Sequence, residues 1–204
     1  MQSIGNKIYK RICAKGHGWV FSDKDFRGIG SRGAVRLELF RLVRNGKIRR
    51  VIRGIYDYPK FSKMLGQWLS PDLHQVAQVL AHKFGWRIQP SGDTALNLLG
   101  LSTQVPGKIV YLSDGPQRKY SLGKLQLIFK KTVSKHVSFK YQQTAWIVQA
   151  LNTLKQDRVD DKAIKQIRSQ FNASMRKKIL SDVGIVSGWI YDCIRMICSE
   201  KKGE

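Results

Sequence analysis

Nine residues between positions 31 and 53 have side chains suited to holding a polyanion: Ser31, Arg32, Arg36, Arg41, Arg44, Lys47, Arg49, Arg50 and Arg53. A guanidinium is a permanently charged planar fork, able to grip two phosphate oxygens or the two acceptors on a guanine edge. A serine hydroxyl bonds a phosphate or caps a helix. The whole chain leans the same way, since 37 Lys and Arg against 14 Asp and Glu leave a net charge of +23 over 204 residues. Residues 1–60 hold fifteen of those cations and four of the acids, a net of +11, so positive charge is densest there. Such an excess favours a nucleic acid over a neutral partner, and with the fold order read below the partner expected is double-stranded DNA. The competing explanation is a solvated basic face on a structural or protein-binding module.

Other chemistry is thinly represented. Cys13, Cys193 and Cys198 form no CxxC pair, and their odd number argues against a disulfide framework and for a reducing cytosol. His17, His74, His82 and His136 lack any zinc spacing, so no metal is expected. No GxxxxGK[ST] loop occurs, and no cofactor is expected. Asp160-Asp161-Lys162 offers the acid-x-lysine pattern of a metal-dependent nuclease, which makes a nuclease the enzymatic alternative. The triplet has no partner acid on a nearby strand and precedes Ile164 and Ile167 at helical spacing. It reads as a helix start, and no catalytic residue is assigned. With neither an 18-residue apolar run nor a signal-peptide core, a cytoplasmic protein away from membranes is expected.

The elements that must carry the nine residues follow from periodicity and capping. Ile4, Ile8 and Ile12 set a first helix over about 2–14, broken by Gly16-His17-Gly18. Trp19-Val20-Phe21 is extended, and Ser22 with Asp23 and Asp25 opens a short second helix. Gly28-Ile29-Gly30 is a tight turn. Ser31 caps a third helix over 32–44, stopped by Asn45-Gly46. In it Val35, Leu39, Leu42 and Val43 share an inward face, while Gly33, Leu37, Arg41 and Arg44 point the other way. Arg32 and Arg36 occupy the first turns, the end that usually meets base edges. Two β-like runs around Arg53-Gly54 then make a hairpin. By strand alternation Lys47, Arg49, Val51 and Arg53 share one face of it, and Arg50 sits with Ile48 and Ile52. Helix, helix, turn, helix, hairpin is the order of a winged helix-turn-helix.

Residues 60–70 read as a connector, so residues 1–68 are expected to form a DNA-binding domain and 69–204 a second domain. Ser70-Pro71-Asp72 starts a helix lined by Leu73, Val76, Ala77, Leu80 and Phe84. A strand over 86–90, a short helix over 93–99, strands over 108–112 and 125–129, and helices over 142–154, 160–171 and 175–199 complete an α+β reading.

Two segments carry a resemblance. Ser31-Arg-Gly-Ala-Val-Arg, continuing through Leu42-Val43-Arg44-Asn45-Gly46-Lys47 to Arg53-Gly54-Ile55-Tyr56, resembles the N-terminal winged helix of AbiEi-type antitoxins. Pro90-Ser91-Gly92-Asp93-Thr94-Ala95-Leu96-Asn97-Leu98-Leu99-Gly100, running on to Pro106, is similar to the start of their C-terminal domain. The resemblance implies an antitoxin of a bacterial type IV toxin-antitoxin, abortive-infection system. The winged helix would repress its own promoter. The second domain would counter a nucleotidyltransferase toxin without a stable complex. The alternative is a stand-alone transcriptional regulator.

Overall fold

The computed structural model describes residues 3–104, 107–132, 139–184 and 186–199, and they form a mixed α+β structure. The chain divides into two compact units, Met1–Trp86 and Arg87–Glu204. The boundary expected at 68/69 thus falls inside the first unit.

In the first unit Ser3 caps helix α1 (Ile4–Lys15), accepting the Asn6 N–H at 3.2 Å. Strand β1 (Val20–Ser22) follows. The second helix expected after Ser22 is a 3-10 turn, Asp23–Phe26. Its start is capped as expected, with the Ser22 N–H donating to Asp25 at 2.8 Å and the Lys24 N–H to Ser22 Oγ at 3.3 Å. Arg27 then leaves helical geometry (ψ 138°) and Gly28 turns to φ +83°, so no α-helical turn can propagate. Helix α2 (Arg32–Arg44) has the expected bounds, with the Ala34 N–H donating to Ser31 Oγ at 3.3 Å.

Strands β2 (Arg49–Ile52) and β3 (Ile55–Asp57) form the hairpin, and β1 joins it to give a sheet in the order β1-β3-β2, antiparallel throughout. The β2 register shifts between Arg50 and Ile52, so Arg49 faces Asp57, Arg50 faces Tyr56 and Ile52 faces Ile55. The strict alternation expected across Lys47–Arg53 is broken there by a bulge at Val51. Ile8, Ile12, Phe21, Phe26 and Leu39 are fully buried in the core of this unit, together with Val35, Leu42 and Ile48. Burial of each such side chain contributes about 1.5–3 kcal/mol.

The expected connector contains a short hairpin, β4 (Phe61–Ser62) with β5 (Gln67–Trp68). Helix α3 (Leu73–Phe84) follows, capped by Asp72 and ended by Gly85 at φ +76°. It packs on β1 and β3. The Lys83 ammonium donates to the Gly54 carbonyl at 3.1 Å and the Arg53 carbonyl at 3.4 Å. Gly54 is held at φ +76°, and a Cβ there would collide with that ammonium. Helix α3 thereby anchors the hairpin turn from within the same unit.

The second unit carries a sheet in the order β6-β7-β9-β8: Ile88–Pro90, Lys108–Ser113, Leu125–Lys131 and Arg118–Leu122. Strands β7 and β9 are parallel, and β8, absent from the sequence reading, fills the connection between them. Helix α4 (Gly92–Leu98) has no side-chain bond at its Ser91 cap. Ser91 Oγ bonds Thr94 Oγ1 instead, and Thr94 Oγ1 accepts the Val110 N–H at 3.1 Å, tying the helix to β7. Helix α5 (Gln142–Leu154) matches its expected bounds. Asp160 opens α6 (Asp161–Ser169) by accepting the Ala163 N–H at 2.7 Å. The single helix expected over 175–199 is two, α7 (Ala173–Asp182) and α8 (Gly188–Cys198). Asp182, at the end of α7, accepts the Lys140 and Tyr141 N–H groups at 3.0 and 2.9 Å and so ties the approach to α5 to α7. Helices α4 to α8 close one apolar core around Leu99, Ile147, Leu151, Ile167 and Ile194. Among the described residues, no helix is long and apolar enough to cross a membrane.

Candidate nucleic-acid interface

The nine candidate residues lie in the first unit, on α2 and the β2–β3 hairpin or the turn between them, and their cations divide into two kinds. Some face solvent with their charge available, and others are tied to acids of the fold.

Arg32 and Arg36 stand one helical turn apart on α2, and both donate through Nε to Asp23 Oδ2, at 3.0 and 2.9 Å. The Asp23 side chain is nearly buried, whereas the two arginine side chains are 68% and 54% exposed. Each meets Asp23 through Nε, which leaves its Nη groups outside that contact. Burial works against the Asp23 carboxylate, but the hydrogen bonds and charges of Arg32 and Arg36 outweigh it and hold its pKa below the ordinary value. A depressed carboxylate pKa contributes stability that is present above the ordinary value and lost only as pH falls through the folded one. Near neutral pH the two arginines therefore stay tethered.

Arg41 pairs with Glu38 at 2.6 Å on the helix surface. Arg44 is exposed at the end of α2. Ser31 also faces solvent, but its oxygen already caps the helix. Lys47 is exposed, with its ammonium 4.6 Å from the centre of the Tyr9 ring.

Arg49 differs from the rest of the hairpin. Its Nε donates to Asp57 Oδ1 at 3.0 Å and its Nη2 to Asp57 Oδ2 at 2.5 Å, and Nη2 also reaches the Leu69 carbonyl at 3.0 Å. The Asp57 side chain is 2% exposed. Hydrogen bonding to Asp57 raises the Arg49 pKa against the opposing effect of burial. This guanidinium is a component of the fold, with its Nε and Nη2 committed to Asp57 and Leu69. Arg50 and Arg53 are exposed, and among the described residues no acidic side chain pairs with them. The hairpin charge directed outward is that of Lys47, Arg50 and Arg53.

Sequence reasoning overlooked three contributors. Asp23 reads in the sequence as an acid in a first helical turn, and its second task depends on residues nine and thirteen positions away. Lys83 lies thirty residues beyond the turn it anchors. Phe40 is absent from the sequence reading of the outward face. Its helical position was nonetheless legible, since it falls between Gly33, Leu37 and Arg44 on the outward face, and it is 56% exposed.

A family profile described as "Family of unknown function (DUF6088)" matches residues 7–179. A search of curated proteins returns no match. Among solved structures, the crystal structure of the RV2827C protein from Mycobacterium tuberculosis is similar at 12% sequence identity and a TM-score of 0.44, covering 95% of this chain and 78% of that one.

Proposed function

We propose that this chain, which belongs to the DUF6088 family of unknown function, binds duplex DNA through its first unit and represses its own promoter. The observation that carries the reading is the concentration of outward cations on one helix and the hairpin that follows it. Arg32 and Arg36 are pre-positioned by Asp23, and Arg44, Arg50 and Arg53 are exposed. Reading the unit as a winged helix-turn-helix is supported by helix α2 entering between β1 and β2 and by the sheet order β1-β3-β2. In that reading α2 lies in the major groove and the hairpin reaches phosphates or the minor groove.

The test is a gel-shift titration of the full chain at physiological salt. A duplex holding the chain's own upstream region is expected to bind more tightly than an unrelated duplex of equal length. Equal affinity for the two would overturn the repressor reading.

A second expectation concerns Asp23. The D23A variant removes the shared acceptor and frees two side chains that binding must then order, at about 0.5–1.5 kcal/mol each. Operator affinity is expected to fall roughly tenfold, with the surface cations unchanged in number. Unchanged affinity would show that the tether does not prepare these arginines for DNA.

The resemblance of residues 31–56 and 90–106 extends the proposal to an antitoxin of a type IV system, the second unit opposing a nucleotidyltransferase toxin. The growth experiment described in the Discussion tests that extension.

A further inference from the structure

Helix α2 presents an outward face that is only partly polar. Gly33, Arg36, Leu37 and Phe40 recur at i, i+3, i+4 and i+7, the spacing at which a helix lying in the major groove brings side chains to base edges. Leu37 is 49% exposed and Phe40 56% exposed, so two large apolar groups stand in solvent between Arg36, Arg41 and Arg44. Gly33 adds no bulk, and the space around it is open for 4 Å. A helix face meant only for phosphates has no use for leucine and phenylalanine. A protein partner would have to be met within a ring of arginines, whereas a polyanion matches that ring.

The major groove offers one apolar feature at its base edges, the C5-methyl group of thymine. We infer that Leu37 and Phe40 are specificity-determining residues that read thymine methyl groups, while Arg36 beside them supplies polar contact to a neighbouring base or phosphate. The inference rests on the DNA-binding reading above and names the chemistry which that surface recognises. Burying one methyl group against an apolar side chain corresponds to about a fourfold change in affinity.

The full chain is used to enrich duplexes from a pool with a randomised central segment. The enriched duplex is then synthesised with thymine or with uracil, which differs from it only by the missing methyl. Wild-type protein is expected to bind the thymine duplex about fourfold more tightly for each methyl read, or roughly fifteenfold for two. The L37A/F40A variant removes exposed groups and leaves the core intact. It is expected to bind the two duplexes equally.

Enrichment of a sequence whose thymine and uracil forms bind the wild type equally would overturn this inference alone. Methyl discrimination that persists in L37A/F40A would overturn the assignment to these residues. A variant that retains discrimination but loses a self-association seen by sedimentation would identify the face as a protein contact, and would overturn it equally. Enrichment of no sequence at all would remove the operator reading, and this inference with it.

Discussion

Replacing Arg49 with alanine is expected to destabilise the first unit by about 2–3 kcal/mol. Removing one partner of a fully buried pair costs about 3–5 kcal/mol, because the charge left behind is desolvated and uncompensated. Asp57 is that charge, at 2% side-chain exposure, but Arg49 itself is 36% exposed, so water partly screens the pair and lowers the figure. In a unit of this size the loss corresponds to a fall in Tm of roughly 10–20 °C, measurable by thermal unfolding. The R49A/D57A double variant removes both charges and is expected to recover part of the loss. A Tm within about 2 °C of wild type for R49A would mean that the pair contributes little. If R49A is destabilised as expected, weak DNA binding by it is no evidence of a phosphate contact unless its fold is shown intact.

Reversing the charge at Lys47, Arg50 and Arg53 together is expected to abolish repression while leaving the fold and any toxin-countering role in place. None of the three pairs with an acid among the described residues, so their loss strands no buried charge. Lys47 gives up its contact with the Tyr9 ring, a surface interaction of about 0.5–1 kcal/mol. Each phosphate contact adds about 0.9 to the slope of log affinity against log salt. If all three touch phosphate, the wild type loses roughly fortyfold more affinity than the variant between 50 and 200 mM salt. A parallel salt dependence would take the hairpin out of the DNA interface.

The same variant tests the antitoxin proposal. If the antitoxin proposal holds, the gene beside this one encodes a nucleotidyltransferase whose expression alone arrests growth, and co-expression of either wild type or the K47E/R50E/R53E variant is expected to relieve the arrest. Rescue lost at normal protein level would mean that repression and rescue share a surface. An intact chain that never rescues, beside a harmless neighbour, would leave a transcriptional regulator with no toxin to oppose.

Much of this was legible without coordinates, because it depends on neighbours along the chain. Ser31 and Asn45-Gly46 bracket α2 at the residues where it begins and ends, since capping and helix termination are decided within one turn. The inward stripe of Val35, Leu39 and Leu42 and the outward placement of Leu37, Arg41 and Arg44 follow from a period of 3.6 residues. The bounds of α5 and the helix start at Asp160-Asp161 are local in the same sense. Tertiary structure decided what each charge is for. Arg49 and Arg50 are adjacent and chemically identical, yet strand register sets the first against buried Asp57 and leaves the second in solvent. Packing of the turn at Asp23 against α2 converts two surface arginines into a tethered pair, and α3 reaches back to hold the hairpin. Periodicity assigns a side chain to a face, but its electrostatic partner is chosen by register and packing between segments distant in sequence, and only the folded chain brings those segments together.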